Sequence, residues 1–380
     1  MGNVVDYLHW RGDLPFSQNR FNDVDALILA MLSYLPFKGI VPGVNEKAKV
    51  SLKETAQRYF SEHPSHKDDP ENIELTVSSS MDEGLMQLLK MASQSARFGD
   101  MHLSRYQEKT DFDAGQQFAA LTFSLPNIKR HKVIAFRGTD NTLIGWKEDF
   151  EMAYMQEIPA QESARNYLKR ATGFFSGRVS ICGHSKGGNL AVYAASCLNR
   201  MERTRVSRII NFDGPGFNFS LHPSSSFSHS KAKVVNYVPE ESVVGMLMGT
   251  VGRREVITST AKAIYQHNPI SWEVKRKEFN PGDLSETAKW LEQTLETWLA
   301  ELSIEKRKAF IDALFDILGA SEGKIIDPKE GLKDINQMIK KFANLDEETR
   351  KMLFEVFTSI TSQAKDTISK AIKEKLSPDK

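Results

Sequence analysis

A β-branched run ends at a serine set between glycines and continues at once as a helix-forming run: "RVSICGHSKGGNLAVYAASCLN", residues 178–199. This stretch restricts the fold more than any other. The short apolar run at 178–182 predicts a strand, and the residues from 186 predict a helix. The chain must therefore pass from extended to helical backbone within Gly183–Gly187. Glycines at 183 and 187 remove the Cβ atoms that would collide as strand and helix close on one another. Ser185 is expected in strained backbone geometry. Its hydroxyl is expected to project above a sheet at a helix N-terminus, where free N–H groups attract an anion.

The alternation continues on both sides. "GQQFAALTFSL" (115–125) and "HKVIAFRGT" (131–139) read as strands separated by the turn "PNIKR". A helix is expected at about 161–175. "RVSRIINFDGPG" (205–216) reads as a strand and glycine-rich loop, and "KAKVVNYVPE" (231–240) as a further strand. This order predicts an α/β fold, a mainly parallel sheet flanked by helices. Residues 1–105 read mostly as helix and loop, with helices in "FNDVDALILAMLSYLPF", "VSLKETAQRYFSEHP" (50–64) and 82–99 that are expected to cover the sheet. From about residue 284 the chain turns helical to its end. Apolar stripes run through Phe310, Leu314 and Ile317, through Leu332, Ile335, Ile339 and Phe342, and through Leu353, Phe357, Ile360, Ala364 and Ile368. Packing against each other or the sheet is their expected use, and a protein partner is the alternative. The expected organisation is residues 1–283 as one α/β domain with N-terminal helices, and 284–380 as a helical extension.

Composition excludes several classes. Over 380 residues the net charge is +1, so bulk charge favours neither nucleic acid nor an acidic membrane surface. Two cysteines, Cys182 and Cys197, are no disulfide framework and suit a reducing compartment. They flank Ser185 in its strand and helix, and "HPSH" (63–66) adds no plausible ligand set. Neither a metal nor a cofactor is expected. The first apolar run, "ALILAML" (26–32), is too short and too late for a secretory signal, and too short for a transmembrane segment. A cytoplasmic protein is the expectation.

A serine becomes a nucleophile only beside a base, which in turn needs an orienting acid. In α/β-hydrolases the order along the chain is serine, acid, histidine. The histidines after Ser185 are His222, His229 and His267. The first two flank the serine-rich loop "HPSSSFSH", whereas His267 follows the last strand-like segment and is the expected base. The acid candidates are Glu240 and Glu241, after the strand in "VVNYVPEESVVG", and Asp213 in "NFDGPGF". An oxyanion hole needs two N–H donors: the backbone of Lys186, after the serine, and that of Thr139, after Gly138. "WKEDFEMAYMQE" (146–157) is a candidate flap, with Met152, Tyr154 and Met155 as apolar contacts. "VVGMLMG" (243–249) is a candidate acyl-pocket lining. Core packing is the alternative for both.

The segments "VIAFRGTDNTLIGWKEDF", "ICGHSKGGNLAVYAA", "INFDGPGF", "VVNYVPEESVVG" and "QHNPISWEV" occur in the order seen in class 3 lipases. They resemble more closely a bacterial family of lipase-like proteins, which also begins with a segment like "YLHWRGDLPFSQNRFNDVDALILAMLSYLPF". The resemblance covers about residues 6–275. It implies an α/β-hydrolase fold and a Ser–His–acid triad, with Ser185 as nucleophile, His267 as base and Thr139 at the oxyanion. Through an acid-x-Val match it favours Glu241 as the acid, with Glu240 close behind. Three departures stand out. Lys186 replaces the usual leucine, and a cation there is expected beside the mouth, favouring acidic leaving groups or anionic substrates. The acid is Glu with one extra residue before it. "FDGPGF" replaces the usual F-G-x-P-R-x-G loop. The expected activity is hydrolysis of a carboxylic ester, from a small molecule or a lipid. The alternatives are a non-catalytic binding protein or scaffold on the same fold, and an acyltransferase or thioesterase.

Overall fold

The computed structural model describes residues 2–63, 81–111, 116–126, 128, 130–139, 148–172, 177–301, 303–308 and 350. The expected tail helices beyond residue 308 lie outside the described residues. So do most of "HPSH" and the first two residues of the candidate flap.

The N-terminal part carries α1 (Val4–Arg11), α2 (Asp23–Leu32), the short strand β1 (Val50–Ser51), α3 (Leu52–Glu62) and α4 (Met81–Gln94). Both α1 and α2 start on an asparagine followed three residues later by aspartate. The Asn3 and Asn22 side chains accept from the first-turn N–H groups, and Asp6 and Asp25 reach back to the cap N–H. These reciprocal bonds satisfy donors that a helix start leaves open. From Val24 to Leu32 every residue of α2 is buried, as a helix apolar on all sides requires.

The central sheet has eight strands in sequential order: β1, β2 (His102–Asp111), β3 (Gln116–Ser124), β4 (His131–Phe136), β5 (Arg178–His184), β6 (Val206–Phe212), β7 (Val234–Pro239) and β8 (Arg253–Ile257). β1 to β4 pair antiparallel, and β4 to β8 pair parallel. The helix α5 (Pro159–Ala171) precedes β5, and α6 (Lys186–Ser196) and the single turn α7 (Arg200–Arg203) follow it. A two-stranded ribbon, β9 (Val274–Lys275) and β10 (Glu278–Phe279), comes before α8 (Glu286–Glu301). Among the described residues no helix is long and apolar enough to cross a membrane.

Alternation along the strands makes two cores, one on each face of the sheet. Val133 and Ala135 of β4, Cys182 of β5, and Ile210 and Phe212 of β6 face α1, α2 and α4. Ile134 and Phe136, Val179 and Ile181, and Ile209 face α5 and α6. A strand's period of two sends successive side chains to opposite faces, so both faces must be covered. This is the expected α/β-hydrolase-type architecture. The N-terminal helices cover one face of the sheet: α2 packs on β4, β5 and β6. A buried ion pair fixes them there, with Arg97 Nε and Nη2 on the two oxygens of Asp25 at 2.7 and 2.5 Å. The same guanidinium donates to the carbonyls of Leu14, Asn19 and Arg20.

Besides the two-residue strands β1, β9 and β10, two strands were not expected from the sequence. β2, "HLSRYQEKTD", is polar along half its length and carries a register shift between Ser104 and Gln107. β8, "RREVI", carries three charges on the outermost parallel strand, where charge discourages further pairing. At the other end, α8 packs back on the main body. Ala288 meets Met246 and Val238, and Arg254 bridges to Glu292.

Candidate functional site

The turn between β5 and α6 places Ser185 at φ 57° and ψ −134°. That region favours glycine, and a serine stays there only when its surroundings over-determine it. Ser185 N donates to Phe212 O at 2.9 Å, and Gly188 N donates to Ser185 O at 2.8 Å. A Cβ on Gly183 would lie 2.1 Å from the Gly187 carbonyl oxygen, and one on Gly187 would lie 2.1 Å from that of Phe136. Strand, helix and the end of β4 are thus in backbone contact, and a side chain at either glycine would force them apart. The Ser185 side chain makes no cap for α6, so its hydroxyl is not spent on the helix.

His267 ends a 3₁₀ turn, Ala263–His267, and its Nδ1 lies 2.6 Å from Asp213 Oδ2. Asp213 follows β6 directly, at φ 49°, with its N–H donating to Tyr237 O at 2.8 Å. Its other oxygen accepts from Ser242 Oγ at 2.5 Å. Both oxygens of this buried carboxylate are therefore committed. An imidazole nitrogen facing a carboxylate carries the proton, which leaves His267 Nε2 as the basic nitrogen. The His267 ring packs on that of His184, with centroids 4.6 Å apart. His184 Nε2 faces the His267 carbonyl at 2.8 Å, so it carries a proton and donates. Its Nδ1 then accepts from the Tyr34 hydroxyl at 2.8 Å. Burial, and secondarily the neighbouring His267, hold the pKa of His184 well below the usual histidine range. It stays a neutral brace.

The carboxylate beside His267 is thus neither of the two glutamates favoured above. Glu241 Oε2 accepts from Ala263 N at 2.5 Å and from Gln266 Nε2 at 3.3 Å, bracing the turn that carries His267. Glu240 lies against Gly282, and its carbonyl accepts from Ser285 N. The reason is strand order. β6 lies next to β5, so an acid at its end stands beside Ser185, whereas the glutamates follow β7, one strand further out. No residue pattern announces this; the order of strands in the sheet decides it.

Lys186 also departs from expectation. Its side chain is fully buried, with Nζ 2.7 Å from Glu148 Oε2 and 3.7 Å from Asp149 Oδ1. The expected cation at the mouth is instead neutralised inside. Asp149 Oδ2 accepts from the Thr139 hydroxyl at 2.6 Å. Burial raises the Asp149 carboxyl to a pKa of about 6; Lys186 and Thr139 pull it down, and Glu148 adds to the rise. Beside Thr139, a Cβ on Gly138 would lie 2.1 Å from Tyr34 Oη, 2.5 Å from His184 O and 2.9 Å from Ser185 Cβ. The end of β4, the turn after β5 and a tyrosine from the N-terminal segment therefore meet at one point. Sequence reading missed Tyr34, Glu148 and Asp149. A lysine directly after the serine, on a helix that must be buried, was the signal that acids had to lie within reach.

Other candidates go elsewhere. Met152 is buried in the core beside α5 and α6, and Tyr154 and Met155 pack on it. Met246 is fully buried against Val238 and Ala288. His222 sits among Tyr193, Phe217 and Phe227. His229 lines an open surface depression with Arg200, Arg203, Thr204 and Lys233. Among the described residues, no three or more His, Cys, Asp or Glu side chains gather as metal ligands.

A family model described as Mbeg1-like matches residues 92–316. No curated protein matches the chain. Among solved structures, the crystal structure of M37 lipase is similar with a TM-score of 0.36 and 14% sequence identity, over 59% of this chain and 68% of that one.

Proposed function

The chain belongs to the Mbeg1-like family, and on that premise and the geometry above we propose that it is a serine hydrolase cleaving a carboxylic ester. The observation that carries this reading is the pairing of His267 Nδ1 with Asp213 Oδ2 at 2.6 Å. It orients an imidazole at the end of the sheet where Ser185 is held in its strained turn.

Ser185 is the nucleophile. His267, with its proton on Nδ1 facing Asp213, takes the hydroxyl proton on Nε2 as Ser185 Oγ attacks the ester carbonyl carbon. Asp213 stays ionised and stabilises the imidazolium. The negative charge formed on the carbonyl oxygen is met by the backbone N–H groups of Thr139 and Lys186. His267 then returns its proton to the leaving alcohol oxygen as the C–O bond breaks. Water, deprotonated by the same nitrogen, releases the acid from the acyl-enzyme. Every proton moves through one imidazole, and the proposed steps call on no metal or redox partner. The substrate is an ester of a small molecule or a lipid.

The test is labelling by a fluorophosphonate probe of the wild type, Ser185→Ala and His267→Ala, each shown to be folded by circular dichroism. Labelling of the wild type that both variants lose supports the reading. A folded wild type that neither labels nor hydrolyses simple esters overturns it, and a binding role becomes the better account.

A further inference from the structure

Lys186 is an awkward residue for its position. It opens α6, and a cation in the first turn opposes the helix macrodipole. It is also fully buried, which adds a desolvation penalty. A leucine or methionine would fill the same space without either cost. The partner of Lys186 is built with equal care. Glu148 Oε2 accepts from Lys186 Nζ at 2.7 Å and from Gln117 N at 3.1 Å, and its Oε1 accepts from Ala160 N at 2.9 Å. One carboxylate thus ties the residue after Ser185 to the start of β3 and to the first turn of α5. The next residue, Asp149, holds the Thr139 hydroxyl at 2.6 Å. Consecutive carboxylates therefore grip the side chains of the two residues whose N–H groups face the developing oxyanion.

We propose that Glu148 is a positioning residue: through the Lys186 ammonium it fixes the backbone N–H that follows Ser185 at the distance from Thr139 which an oxyanion requires. This rests on the hydrolase reading above. The N–H of a first helical residue has no partner within its helix, and Ser185 supplies no side-chain cap. The place of that N–H is set by the strained Ser185 backbone and by whatever holds residue 186. A methionine would fill the space but would let the turn settle. A directional, charge-assisted bond to a carboxylate anchored at two further backbone points does not. The ion pair trades stability for geometry.

The experiment compares the wild type, Ser185→Ala, Lys186→Met, Glu148→Gln and the double variant Lys186→Met/Glu148→Gln on p-nitrophenyl butyrate, with thermal unfolding alongside. Glutamine keeps an oxygen for one of the two backbone donors, Gln117 N or Ala160 N, and the double variant removes the Lys186 and Glu148 charges together, leaving Asp149 on the Thr139 hydroxyl. The double variant is expected to stay folded with a lowered unfolding temperature, because Asp149 loses its neighbouring cation. Its kcat should fall roughly 10- to 100-fold with KM little changed, because misplacing a transition-state donor costs turnover rather than binding. A folded double variant with kcat within about twofold of wild type overturns the proposal. If the neutral variants do not fold, Glu148→Asp keeps both charges but withdraws the carboxylate by one methylene. Reduced kcat at constant KM is then expected, and wild-type kcat overturns the proposal. Loss of turnover in Ser185→Ala separates the two readings. If the wild type shows no Ser185-dependent turnover, the hydrolase reading fails and this proposal with it. If the wild type and the double variant turn over equally, only the positioning role fails.

Discussion

His267 Nδ1 lies 2.6 Å from Asp213 Oδ2, while Glu241 of "VPEES" is engaged with the backbone N–H of Ala263. The two acids therefore make different predictions. Asp213→Asn allows the wrong imidazole tautomer and should lower kcat roughly 10³- to 10⁴-fold. Glu241→Gln removes a charge from the turn beneath His267 but leaves its ring partner in place, so the loss should stay under about tenfold. Ester hydrolysis by the two purified variants decides between them. Equal losses would return the acid's role to Glu241.

Tyr34 donates to His184 Nδ1 across 150 residues of sequence. Tyr34→Phe leaves a buried imidazole acceptor unmet. It should destabilise the fold by about 1–3 kcal/mol in urea titrations. It should also lower kcat by less than roughly tenfold at unchanged KM, since it acts on His267 only through a neighbour. A variant indistinguishable from wild type in both assays would show that the bond does not brace the site.

Burial raises the Asp149 carboxyl from 3.8 to about 6. The folded protein then holds this proton to a higher pH than the unfolded chain does. Its contribution to stability falls as pH rises from about 4 to about 6, and stays flat above that. Asp149→Asn removes the effect. The stability of the variant relative to wild type should therefore rise by about 2–3 kcal/mol between pH 4 and pH 7. Urea midpoints of both proteins across that range give the answer. A constant difference would contradict the raised carboxyl.

Arg97 and Asp25 are both fully buried. Arg97→Met leaves a carboxylate without its partner and three backbone carbonyls without their donor. The expected cost is about 3–5 kcal/mol, read as a lowered urea midpoint. Protection of α1 and α2 amides from hydrogen exchange should fall first, because the guanidinium is what ties Leu14, Asn19 and Arg20 to α2. Unchanged protection would place the anchor of the N-terminal helices elsewhere.

Strands β3 to β7 were legible because each is an apolar run bounded by turn residues, and α5 and α6 because helical runs separate them. β2 was not legible. Its charges sit on the outer half of a strand whose inner half is carried by Leu103 and Ser104, so no period stands out. Ser185, His267 and Thr139 were read as candidates from local pattern. Glu148 and Asp149 were hidden in a segment that looked like a flap.

The sequence by itself determined the corner at Ser185. Glycines at 183 and 187 and the change of period around them leave one local solution, set by short-range sterics. It also determined that both faces of the sheet must be covered, because the strands are apolar on both sides. Only the tertiary structure decided which acid meets His267, which way Lys186 turns, and that a tyrosine from residue 34 reaches the site. Each of these depends on which strand lies beside which, and on where a buried charge finds its partner. Such contacts join residues far apart in the chain, and no local spacing encodes them.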